Sequence, residues 1–161
     1  MVEIRPVEGP PAALARTAYG KERLRQGWKL VEVPLPPYGN LQAVVDPRVL
    51  TRYSASYLAH LALVSAVGDA RGWEGRWEIP EGRPGEAVPD ALWYRNGEVW
   101  AVEVDLGYSR QKVVRKVEHY QRVYHGQIWG VLSPQRKREI LAKAWPGRVE
   151  VLLIRPEEVV G

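Results

Sequence analysis

Three carboxylates stand near one another where the surrounding residues leave little water for them. Asp90 follows Pro89, and Glu103 and Asp105 flank Val104 in the run Ala101-Val102-Glu103-Val104-Asp105-Leu106. Residues two apart on a strand point to one face, so Glu103 and Asp105 project together. Acidic groups gathered on a buried strand pair are costly unless they bind a cation. Hard oxygen ligands select Mg2+ or Mn2+, and such an ion activates a water and stabilises a pentacovalent phosphate. The plainer reading of Glu103 and Asp105 is a solvated strand end.

Positive charge follows at once. Lys112, Lys116 and Tyr120 recur at i, i+4 and i+8, one stripe of a helix. Lys116 borders the apolar Val113 and Val117, from where it can lean to the sheet end and neutralise a phosphate's developing charge. Arg110 and Arg115 add positive potential there. Against this, lysines and arginines on an amphipathic helix are usually a solvated face, and Tyr120 reads first as core. His60, on an apolar helix, reads first as a core histidine with a satisfied hydrogen bond and second as a supporting site residue. His119 and His125 read as surface. No Ser/His/Asp arrangement, glycine-rich phosphate loop or zinc spacing is present.

These residues need a hairpin and a following helix. Strands over 87–95 and 98–106 are joined by Asn96-Gly97, the strongest short hairpin signal. Ser109 caps a helix to about Tyr124 with the apolar stripe Val113, Val117, Tyr120, Tyr124. Before them, Ser54 to Ala70 is apolar nearly all round, which belongs inside, and Arg76 to Pro80 reads as a short strand ahead of a Gly/Pro-rich turn over 81–86. After them come a strand over 127–132, a helix from Ser133-Pro134 to Trp145, a strand over 148–154 and a polar tail. The order from Ser54 predicts an α/β fold with a mixed central sheet flanked by helices. Residues 1–50 read as an N-terminal arm and helix–hairpin module and 51–161 as the core. In the module, the first eleven residues form a loose arm, a basic helix runs from Ala12 to Gln26, and strands over 28–35 and 41–45 make a ribbon. Helix plus ribbon has the form of a reduced winged helix, with Lys21, Arg23 and Arg25 as nucleic-acid contacts; it reads equally well as packing on the core.

Composition sets the outer limits. The 161 residues are 45% hydrophobic and 26% charged, an ordinary globular balance. Without cysteine there are no disulfides, thiolate metal sites or cysteine nucleophile. No apolar run approaches the roughly 18 residues of a membrane span, and the N-terminal residues lack a signal peptide's apolar stretch; a cytoplasmic home is expected. The net charge is +4, from 17 Arg and 6 Lys against 19 acidic residues. Arginine suits phosphate recognition, although genomic base composition also raises it. Seven Trp and no Phe have no explanation at this level.

The sequence resembles the PD-(D/E)XK nuclease superfamily through Pro89-Asp90, Glu103-Val104-Asp105 and the helix, three strands, helix, strand order. Within it, the chain is most similar to the replication-relaxation proteins of plasmids and mobile elements, through Tyr57-Leu58-Ala59-His60, Pro89-Asp90-Ala91-Leu92, Val102-Glu103-Val104-Asp105 and Arg115-Lys116-Val117-Glu118-His119-Tyr120. The resemblance covers about half the chain, from Ser54 to Leu132. It implies a restriction-endonuclease-like core, Asp90 and Glu103 as ligands of Mg2+ or Mn2+, and a winged-helix domain of which 21–45 is the remnant. The superfamily's lysine two residues after the glutamate is here Asp105, which leaves Asp105 as a third ligand and Lys116, or Lys112, as a migrated lysine. The expected activity is metal-dependent DNA cleavage; the alternatives are a catalytically inactive DNA-binding protein of the same fold and a protein–protein interaction domain. DNA is the expected partner, a homodimer is allowed for, and neither a membrane nor a small-molecule cofactor is expected.

Overall fold

The computed structural model describes residues 9–80 and 88–160. The elements run β1 (Ala12–Leu14), α1 (Ala18–Arg25), β2 (Lys29–Leu35), β3 (Gly39–Val45), α2 (Ala55–Ala70), β4 (Arg76–Glu78), β5 (Ala91–Arg95), β6 (Glu98–Val104), α3 (Arg110–Val123), β7 (Gly126–Val131), α4 (Pro134–Lys143), β8 (Val149–Leu153) and α5 (Pro156–Val159). The chain is α/β. A five-stranded mixed sheet has the order β4-β5-β6-β7-β8, and a three-stranded sheet the order β1-β3-β2. In the larger sheet, β4, β5 and β6 pair antiparallel, whereas β6, β7 and β8 pair parallel. Among the described residues no helix is long and apolar enough to cross a membrane.

The two faces of the larger sheet are covered differently. Val102, Val104 and Ile128 point into a core shared with Leu61, Leu63, Val64 and Val67 of α2. Ala101, Trp129 and Val131 point to the other face, against Val113, Val117 and Tyr120 of α3 and Ile140 of α4. The period-two alternation along β6 produces this split. Helix α2 packs on the small sheet as well as on β6 and β7, which explains an apolar surface nearly all round. One core therefore runs from Ala12 and Leu14 through α2 to Trp93 and Trp100.

The hairpin forms as the sequence predicts: Asn96 and Gly97 both have positive φ (49° and 77°), the backbone of a type I′ turn. The tryptophans acquire a role here. Trp77 pairs across strands with Trp93, and Trp93 with Trp100; with Trp73 they form a chain of rings at centroid spacings of 5.1, 5.3 and 6.0 Å.

Several expected boundaries are corrected. Residues 12–14 do not begin the first helix. They form β1 against Val45, Val44 and Ala43, because three small apolar side chains bury completely there and the Ser65 hydroxyl accepts from the Leu14 amide. The helix starts only after Thr17, whose side chain accepts from the Gly20 amide. Gly9 to Pro11 are tied down rather than loose: the Tyr19 hydroxyl donates to the Pro10 carbonyl and the Asp46 amide to Pro11. The expected arm over 1–8 and turn over 81–86 lie outside the described residues. Asp90 precedes β5 and Asp105 follows β6, so both stand just beyond their strands. The tail is not merely polar, since Val159 is buried and Val160 bridges to Leu41.

Candidate functional site

Asp90 and Glu103 meet at one end of the large sheet. Ala91 lies opposite Val102, so one step further the hairpin register sets Asp90 beside Glu103. Asp90 Oδ2 accepts from the Val104 amide at 2.8 Å, which pins the carboxylate to the end of β6. The same oxygen lies 3.3 Å from His60 Nδ1, on α2. Asp90 Oδ1 has no partner among the described residues. His60 is thus more than a core histidine: it orients the first acid from the α2 side of the sheet.

Glu103 is held from the opposite side. Its side chain is 1% exposed. Tyr120 Oη donates to Oε1 at 2.7 Å, Tyr108 Oη donates to Oε2 at 2.8 Å, and Lys116 Nζ lies 3.2 Å from Oε2. The helical spacing of Lys116 and Tyr120 makes this possible, because i and i+4 on α3 lie one above the other on the face turned to β6. Tyr120 is both core and site: its ring is fully buried and its hydroxyl ends on Glu103.

The electrostatics follow from the packing. Burial and then the Asp90 charge push Glu103 up to about 7, against the pull of Lys116 and the two tyrosines. His60 is also raised. Burial opposes its charge, but the hydrogen bond to Asp90 and the charges of Asp90 and Glu103 outweigh burial and Lys116. Burial and the Glu103 charge drive Tyr108 and Tyr120 far above the ordinary phenol range, so both stay protonated donors. A buried glutamate that keeps its proton near neutrality is short of positive charge, which a cation would supply.

Asp105 shares the face of Glu103, as the alternation predicts, but its oxygens are taken by the fold. Oδ1 accepts from the amides of Gly107 (2.9 Å) and Tyr108 (2.7 Å), and Oδ2 pairs with Arg136 Nε at 2.8 Å. Arg136 Nη2 also donates to the Tyr108 carbonyl at 2.7 Å. Asp105 and Arg136 thereby fix the turn that carries Tyr108 over Glu103. Among the described residues no three acidic or imidazole groups form a metal cage. Glu103 is as fully engaged as Asp105, so as a ligand it would first release Lys116 and Tyr108 from Oε2. With the open Oδ1 of Asp90 it would then give the two carboxylates a Mg2+ ion commonly takes from a protein, the rest of its shell being water and substrate oxygen.

Sequence reasoning missed Tyr108 and Arg136. Tyr108 carried a legible signal, an aromatic three residues beyond an acidic strand end; Arg136 carried none, since its role depends on how α4 crosses the sheet end. Lys112 is exposed, with Nζ 4.3 Å above the Tyr108 ring, and Arg110 and Arg115 are exposed on the same helix. Lys21 and Arg25 are exposed on α1, Arg25 paired with Glu22. Arg23 is not available as a nucleic-acid contact. It is 7% exposed, its guanidinium lies over the rings of Tyr19 and Trp28 at 4.8 and 5.2 Å, and it donates to Gln26, so stacking on the two rings takes the side chain out of solvent. No protein-family model, curated protein or solved structure matches the chain.

Proposed function

We propose that this chain is a metal-dependent nuclease of PD-(D/E)XK type, or a protein derived from one, acting on the DNA of plasmids or mobile elements. The reading rests on one observation above all: Asp90 and Glu103 share a sheet end, with Lys116 3.2 Å from Glu103 on the next helix. The antiparallel β4-β5-β6 meander followed by parallel β7 suits a restriction-endonuclease-like core. The segment β1-α1-β2-β3, with sheet order β1-β3-β2, suits a reduced winged helix that offers Lys21 and Arg25.

In this reading Asp90 and Glu103 hold Mg2+ or Mn2+, which supplies Lewis acidity and an acidified water. His60 and the Val104 amide keep Asp90 oriented. Tyr108 and Tyr120 keep Glu103 oriented and protect it from bulk water. Lys116 turns from Glu103 to a substrate phosphate oxygen, where its charge stabilises the transition state. Asp105 acts through the turn it caps and is a positioning residue. Purified protein with Mg2+ or Mn2+ is expected to nick supercoiled plasmid, and Asp90→Ala to abolish nicking; equal background cleavage by both proteins would reject the enzyme.

A second reading has its own support. Lys116 already pairs with Glu103 and Arg136 with Asp105, so two of the three carboxylates have a cation without a metal. In that case the chain is a catalytically inactive nuclease fold that binds DNA. Affinity is then salt-sensitive and survives both Asp90→Ala and Glu103→Ala.

A further inference from the structure

The approach to the acidic site is lined by rings rather than by a wall of cations. Tyr53 and Tyr57 lie at the start of α2 with centroids 4.9 Å apart and planes at 75°. Each leans on the core with part of its surface and leaves the rest open. One turn further along α2, His60 reaches Asp90 and stacks on Tyr108 at 6.0 Å with planes 29° apart. Beyond Tyr108 stands the exposed Lys112, 4.3 Å over its ring. Tyr57 stands three residues before His60 on α2, one turn away on the same side of the helix, so the tyrosine pair borders the site. The order across the mouth is Tyr53, Tyr57, His60, Tyr108, Lys112.

A duplex presents phosphates outward and keeps its base faces stacked inside, where these rings cannot reach them. An unpaired strand offers base faces directly, and stacking on tyrosine tolerates any sequence. Asp90 keeps a negative charge at the centre, so base stacking on the flanking rings has to supply much of the hold on an entering strand. We infer that this site takes single-stranded nucleic acid, with Tyr53 and Tyr57 stacking unpaired bases on one side of Asp90 and Lys112 meeting the backbone on the other. The inference deepens the reading of the Asp90–Glu103 end as a nucleic-acid site and rests on it.

The test is fluorescence anisotropy with the full chain in EDTA, so that cleavage plays no part. Labelled oligodeoxyuridylate and oligouridylate of roughly 16 nucleotides are compared with a mixed-sequence duplex of similar length. An unpaired strand binds more tightly than the duplex, and the better of the two identifies the sugar. Tyr57→Leu, which keeps an apolar body on the core, weakens single-strand binding roughly tenfold, whereas Tyr57→Phe retains it. Lys112→Gln lowers the salt slope by about 0.7. Duplex preference, or equal binding by the Leu and Phe variants, overturns the single-strand inference and leaves the nucleic-acid site standing. Absence of binding to all three probes at low salt overturns both. Single-strand binding without metal-dependent nicking retires the enzyme and keeps this inference.

Discussion

Replacing Glu103 by glutamine tests how the site stores its charge. An ordinary glutamate titrates near 4.5, and Glu103 in the fold near 7. A group whose folded value lies above its unfolded value contributes stability at low pH that is lost as pH rises through that window. At about 1.4 kcal/mol per pH unit, wild-type protein loses roughly 3 kcal/mol between about pH 4.5 and pH 7 through this group. His60 adds a loss of the same sign above its ordinary 6.5, because its folded value is also raised. Glutamine keeps the shape and still exchanges hydrogen bonds with Tyr108 and Tyr120, but it has no proton to lose. Urea unfolding of wild type and Glu103→Gln at a series of pH values reads the difference. The variant's stability is expected to stay nearly flat through the glutamate window, with only the weakened His60 component left above it. The two proteins then differ by up to about 3 kcal/mol more at pH 8 than at pH 5, reduced by whatever Lys116 loses with its partner. Parallel pH profiles would refute the claim that Glu103 is buried beside Asp90 with a raised proton affinity.

Three further outcomes follow from the same contacts. Tyr120→Phe strips the donor from Glu103 Oε1 and costs about 1–3 kcal/mol in urea unfolding, more at pH 8 than at pH 5 because the charged carboxylate needs the bond most. Arg136→Ala leaves Asp105 buried and unpaired and costs about 3–5 kcal/mol; adding Asp105→Asn recovers part of that loss, and strict additivity in the double-mutant cycle would contradict the pairing. Gly20→Ala in α1 reverses the usual helix gain from alanine. The new Cβ would lie 2.0 Å from the Leu14 carbonyl oxygen, so the melting temperature falls, and an unchanged or higher value would show that β1 and α1 do not cross so closely.

Local chemistry made much of this legible from sequence. Asn96-Gly97 fixed the hairpin, the hairpin brought Asp90 and Glu103 together, and the four-residue spacing set Lys116 and Tyr120 on one stripe, although their meeting on Glu103 was seen only in the structure. Serine caps at 109 and 133 marked two helix starts that the structure reproduces. What escaped depends mostly on long-range packing. Ala12-Ala13-Leu14 has helix-compatible residues, and only the edge of β3 and the hydroxyl of Ser65, far along the chain, make it a strand. Arg23 looks like any arginine of a basic helix until Tyr19 and Trp28 close over it. Asp105 looks like a ligand until α4 delivers Arg136. For β1 and Asp105 a partner more than one element away decides the role, and periodicity carries no record of it; for Arg23 the two rings are local, at i−4 and i+5, and the charge pattern of the helix hid them.

The central claim is that Asp90 and Glu103 together hold a divalent ion. Calorimetric titration of Mn2+ into the full chain measures it without substrate or turnover. Wild-type protein is expected to bind the ion with an affinity that rises with pH up to about 7, where Glu103 gives up its proton, and Asp90→Asn is expected to bind none. Absence of binding heat in the wild type at any pH, or undiminished binding by Asp90→Asn, would contradict the account.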